Sequence, residues 1–173
     1  MKKITTLLLF VFHAFLSFSQ TFEMPDDFTV VEKEDYAKYE TTIIEASKWL
    51  HAVPLNEQTQ KRKQVSYLVV KWVNGSPTVN VELYPVIADF DSKNPGMMVL
   101  YMAGSAQYVL ENNYSKDIRA KHKAALKGMI EVYKSGKGIK KDKKMEALIK
   151  ADEEGRLDEW LDKNMGLPKN KPQ

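Results

Sequence analysis

The sequence contains no cysteine. That absence excludes disulfides, thiol nucleophiles, CxxC redox chemistry and zinc sites built on thiolates, so stability must come from an apolar core. Histidine is scarce as well, at three residues. There is no H-E-x-x-H pair, no G-x-S-x-G elbow and no S-x-x-K pair. Internal repeats and low-complexity domains are missing too. No apolar run reaches the ~20 residues that span a bilayer.

What is present begins with "MKKITTLLLFVFHAFLSFSQ". Lys2 and Lys3 precede an apolar stretch from Ile4 to Phe18, and Ser17 and Ser19 supply small residues at a cleavage site. This layout predicts a secretory signal peptide over residues 1–19 and an exported, periplasmic or secreted chain beginning at Gln20. Without Lys2 and Lys3 the formal charge falls from +3 to +1, and that small sum hides a division. Residues 20–114 carry 8 Lys/Arg against 13 Asp/Glu, whereas residues 115–173 carry 16 against 10. Such asymmetry marks a binding face or is cancelled inside the fold.

Hydrophobic spacing predicts helices. A polar lead-in over 20–32 precedes a first helix near Lys33, with Tyr36, Tyr39, Ile43, Ala46 and Leu50 on one stripe. Val65, Leu68, Val69, Trp72 and Val73 form a second, which Asn74-Gly75 should stop. Residues 76–93 read as a short helix or an irregular crossing, with Ser76-Pro77 resembling a helix start. Gly96 to Leu110 carries no charge. It is therefore expected as a central helix buried on most sides, thin enough at Gly104 and Ser105 for close approach of a neighbour.

Ser115 is expected to cap the next helix, whose inner stripe is Ile118, His122, Ala125, Leu126, Met129, Ile130 and Tyr133. Gly136 should end it. Asp142 should cap another helix with Met145, Leu148 and Ile149 inside, ended by Gly155. Leu157, Trp160 and Leu161 make a last short element, and residues 164–173 a flexible tail. The fold class is therefore all-α: one domain over 33–163, a bundle or stacked αα-hairpins of about five to seven helices.

The segment "YKSGKGIKKDKK" holds Lys134, Lys137, Lys140, Lys141, Lys143 and Lys144. It is not a phosphate-cradling loop of the nucleotide-hydrolase type, because Glu131 stands where the first glycine belongs and Gly138 where Ser or Thr belongs. A helix end explains most of it. As a surface, Lys137, Lys140, Lys141, Lys143 and Lys144 would attract an anionic protein, lipid or polysaccharide. Nucleic acid fits less well, since no aromatic residue interleaves the lysines.

"DFDSKNPGMMVL" starts like a calcium loop at Asp89 and Asp91, but Asn94 and Leu100 occupy the glycine and glutamate positions. No metal site and no cofactor are expected. His122 falls on an apolar stripe as a satisfied core imidazole, or alternatively as a ligand or base. His51 lies at a helix C-terminus, which favours its cation. The three tryptophans are expected in core or cap packing, with a peptide or glycan groove as the minority alternative.

"KWVNGSP", "NPGMMVLYMAGSAQYVLEN" and "YKSGKGIKKDKKMEALIK" together resemble small exported bacterial helical proteins of uncharacterised function. The resemblance spans Trp49 to Leu161 and implies no catalytic residues. The expectation is a non-enzymatic binding protein of the envelope or exterior. The alternatives are a small hydrolase or lyase acting on an envelope polymer through carboxylates and His122, and an envelope chaperone or immunity-type inhibitor.

Overall fold

The structure, a computed structural model, describes residues 21–167. The expected signal peptide and residues 168–173 of the expected tail lie outside the described residues. Among the described residues there are eight helices and no strand: α1 (Lys33–Lys38), α2 (Glu40–Ala52), α3 (Thr59–Gly75), α4 (Pro85–Lys93), α5 (Met97–Glu111), α6 (Ile118–Lys134), α7 (Lys143–Glu153) and α8 (Leu157–Met165). The all-α fold expected from the spacing is the fold observed.

The uncharged run becomes α5, which touches α2, α3, α4 and α6. Met97, Leu100, Tyr101, Met102, Ala103, Ala106 and Val109 are buried around it. Burying each large side chain stabilises the fold by roughly 1.5–3 kcal/mol relative to leaving it in water. Gly104 permits the contact with α6: a Cβ there would lie 3.0 Å from Ala125 Cα. The α2 and α3 stripes meet this centre through Ile43, Leu50, Leu68 and Trp72, all without exposure. α7 packs on α6, and α8 on both.

Tyr39 divides the expected first helix in two. Its backbone (φ −104°, ψ 2°) departs from helical values. Its hydroxyl donates to the Asp27 carbonyl at 2.8 Å and accepts from the Thr29 amide at 3.3 Å. The lead-in is thereby tied down, and its Phe22 and Val30 are buried. Residues 164–167 close α8 and bury Met165 and Leu167.

Several local expectations need correction. α3 does end at Gly75, as Asn74-Gly75 announced, but not by a left-handed turn: Gly75 is the last helical residue, and Tyr36 occupies the place of its side chain, its hydroxyl 1.8 Å from where a Cβ would be. Ser76-Pro77 starts no helix, although Ser76 Oγ accepts from the amides of Thr78 and Val79 at 3.3 and 3.1 Å. The chain instead crosses irregularly over 76–84 and turns helical at Pro85, the first residue of α4. Asp117, not Ser115, caps α6, accepting from the Ala120 amide at 2.9 Å. Ile118 leaves the inner stripe and is 45% exposed. Gly136 and Gly155 have φ of +70° and +68° and stand just past the ends of α6 and α7, as expected.

Candidate functional site

The lysine segment joins α6 to α7, and its backbone is held from three sides. Tyr133, on the last turn of α6, accepts from the Asp142 amide at 2.7 Å through its hydroxyl. Asn94, buried at the end of α4, pairs with Lys140: Nδ2 donates to the carbonyl at 2.9 Å, and the Lys140 amide donates to Oδ1 at 2.6 Å. Asn56 packs against Gly138, where a Cβ would come within 2.7 Å of its side chain. Asp142 then caps α7, accepting from the Lys144 amide at 2.8 Å.

The ammoniums fall into two groups. Lys134, Lys141 and Lys144 reach Glu153 (2.5 Å), Glu146 (3.6 Å) and Asp89 (2.5 Å). Lys137, Lys140 and Lys143 are exposed and form no ion pair among the described residues. Lys141, Lys143 and Lys144 line one cavity of about 610 Å³ beside α4, where Lys93 joins them. Lys137 and Lys140 do not line it. The cavity is basic but not uniformly so, because Asp89, Asp142 and Glu146 share its wall.

Neither calcium-like aspartate is arranged for a cation. Asp91 Oδ1 accepts from the amides of Gly96 and Met98 at 2.9 and 3.0 Å, capping α5, while Asp89 meets Lys144. Among the described residues no three His, Asp or Glu side chains gather to hold a metal.

His122 is wholly buried on α6. The Tyr101 hydroxyl of α5 hydrogen-bonds with Nδ1 at 2.5 Å and donates to the Glu82 carbonyl at 3.3 Å, and its ring stacks on the imidazole. Nε2 has no hydrogen-bond partner among the described residues and faces Glu82 Oε2 at 3.7 Å, beyond hydrogen-bond length. Glu82 is itself tied to Lys121 at 2.5 Å. Burial, and next the Lys121 ammonium, hold the His122 imidazolium down to about 4, against the pull of Glu82. His122 lines none of four cavities of about 510–610 Å³ among the described residues, and its side chain is fully buried.

His51 departs from expectation. It ends α2, but its ring is pressed between two helical glycines: a Cβ on Gly128 would meet Nε2 at 2.7 Å, and one on Gly104 would meet Cε1 at 3.6 Å. Nδ1 donates to the Ser47 carbonyl at 2.7 Å, which leaves Nε2 as a buried lone pair with no partner among the described residues. Burial pushes its pKa down, and the helix end does not reverse that. The expected cation is a neutral ring. Trp49 and Trp72 are core, and Trp160 stacks on Phe90 at 6.3 Å.

Sequence spacing did not reveal Asn94, Tyr133, Asn56 or Lys93 as parts of the lysine site. Asn94 stands before Pro95 and reads as a helix boundary. Its second task depends on a partner 46 residues away, which no local pattern records.

No family model, curated protein or solved structure matches this chain. The reading of function rests on the geometry alone.

Proposed function

We propose that this chain is a non-enzymatic binding protein of the bacterial envelope or exterior, and that Lys137, Lys140 and Lys143, with Lys141 and Lys144 beside them, take an anionic partner. One observation carries the reading. The loop's backbone is fixed by Tyr133, Asn94 and Asn56, while three of its ammoniums have no carboxylate partner among the described residues. A loop fixed before binding loses little conformational freedom when a partner arrives. Uncompensated charge at a surface speeds encounter with an opposite charge, in a manner that salt screens. The sealed environment of His122 weighs against the hydrolase or lyase alternative.

The test is retention of the purified chain on polyglutamate, on alginate and on phosphatidylglycerol vesicles at low and high salt. Lys137→Glu/Lys140→Glu/Lys143→Glu leaves every ion pair of the loop in place. Wild type is expected to be retained on at least one ligand at low salt, and the triple variant to be lost from it. Equal behaviour of the two proteins on all three ligands would reject the proposal.

A further inference from the structure

A second site lies at the other end of α6, about 24 Å from the lysine loop at 1.5 Å per helical residue. There the irregular crossing runs past the start of α6 and encloses a cleft of about 560 Å³, within the range of small-ligand pockets. We propose that this cleft binds a small neutral polyhydroxylated ligand of one or two sugar rings.

The lining argues for that class. Thr78, Asn80 and Glu82, alternate residues of the crossing, bring a hydroxyl, an amide and a carboxylate to one wall, while Val79 between them goes into the core. Ser115 and Lys121 face them from the loop and first turns of α6. Lys121 is 5% exposed, and its ammonium donates to the Asn80 carbonyl at 2.8 Å and to Glu82 Oε2 at 2.5 Å. A lysine has three such protons, and the third has no acceptor among the described residues. Glu82 also accepts from Asn80 Nδ2 at 3.1 Å. Lys116 and Asp117 add one charge of each sign to the lining, so the cleft is neutral as a whole, which disfavours a phosphate or a polycation. What remains is a close mixture of donors and acceptors, matched by hydroxyl groups that are both at once.

The wall is also built to stay in place. Asn113 and Tyr114 hold φ of +52° and +57° immediately before Ser115, a conformation that L side chains adopt at a cost. Tyr114 is kept there by its hydroxyl, which donates to Glu40 at 2.8 Å, and by its amide, which donates to the Val109 carbonyl at 2.9 Å. Ile118, half exposed, supplies an apolar surface for the C–H face of a sugar.

The experiment is an amide chemical-shift titration of the full chain with glucose, N-acetylglucosamine, cellobiose and maltose, with citrate as the anionic control. At least one sugar is expected to give saturable shifts confined to residues 76–82 and 115–121. Thr78→Val/Asn80→Ala, checked for an unchanged melting temperature, should weaken that binding about tenfold, as expected for two lost hydrogen bonds. The Lys137→Glu/Lys140→Glu/Lys143→Glu variant should bind the sugar like wild type, so the two sites fail or succeed separately. Absence of saturable shifts with all four sugars, shifts with citrate alone, or unchanged affinity in the Thr78/Asn80 variant would each overturn the assignment.

Discussion

The side-chain amide of Asn94 pairs with the backbone of Lys140 as one strand residue pairs with another, through an amide donor at 2.9 Å and a carbonyl acceptor at 2.6 Å. Both bonds are partly shielded from water, and the asparagine is 2% exposed. Removing it leaves two backbone groups to find water or stay unpaired, at about 1–3 kcal/mol for a group that stays buried. Asn94→Ala should therefore destabilise the chain by ~2 kcal/mol. It should also free the Lys140 amide, which hydrogen exchange would read as lost protection while α5 amides stay slow. Unchanged exchange at Lys140 would show that the loop holds itself.

Gly104 and Gly136 look alike in the sequence and should respond differently to alanine. At Gly104 the obstacle is space: the added carbon would sit 3.0 Å from Ala125 Cα, a backbone atom that cannot swing aside. Forcing α5 and α6 apart is overpacking, with a typical cost of 1–3 kcal/mol. At Gly136 no described residue but its chain neighbours lies within 4 Å of an added Cβ, and the obstacle is the left-handed backbone, φ +70°, at about 1–2 kcal/mol. Urea titrations should show both variants weakened. Only Gly136→Asn, which tolerates that conformation, should recover part of the loss; Gly104→Asn should be worse than Gly104→Ala.

The difference between what the residues announced and what they hid follows the reach of each interaction. α5 was readable because fifteen residues without a charge, Gly96 to Leu110, allow no solvated face. Gly136, Gly155 and Asp142 were readable because helix ends are local chemistry. The break at Tyr39 was not, since no glycine or proline marks it and its cause is a hydroxyl bonded to Asp27, twelve residues back. The burial of Lys121 was hidden for the same reason: its partners, Asn80 and Glu82, are about forty residues away. Of the lysine site, the charges were legible and the scaffold that fixes them was not.

A buried histidine and a half-buried one, both neutral, make stability depend on pH in a defined window. Burial holds the folded His122 imidazolium down to about 4, from an ordinary 6.5, and lowers His51 as well. In that interval the unfolded chain binds more protons than the folded one, so stability falls as pH falls from about 6.5. For His122 the loss is about 1.4 kcal/mol per pH unit between its unfolded and folded values, and His51 adds to it in the same direction. The lowered Glu82 carboxyl adds a further loss only at lower pH, as it takes up a proton. Melting temperature should decline between pH 6.5 and 4.5, and His51→Gln should make that decline shallower. A flat profile across the interval would mean that both rings protonate in place.

Arg62 is a buried cation whose partners are not anions. Its guanidinium, 8% exposed, donates to the carbonyls of Leu50, at 2.7 Å, and of Val53, at the C-terminal end of α2. Among the described residues it forms no ion pair. Burial lowers its pKa to about 10, which still leaves it charged at neutral pH. The charge is held by the negative end of a helix and by carbonyls that the helix itself cannot satisfy. Arg62→Met keeps the apolar stem and orphans those carbonyls, so it should cost about 2–3 kcal/mol, the range for charge-assisted bonds. Lys144→Ala, which breaks an exposed pair with Asp89, should cost at most ~1 kcal/mol. The two losses also differ in their response to salt. The Lys144 effect should vanish at high ionic strength, whereas the Arg62 effect should persist, because its partners are dipoles shielded from the solvent. Guanidinium chloride would itself screen the charges, so urea midpoints with and without added sodium chloride are the measurement. An Arg62→Met loss that disappeared with salt would point instead to a long-range ionic role.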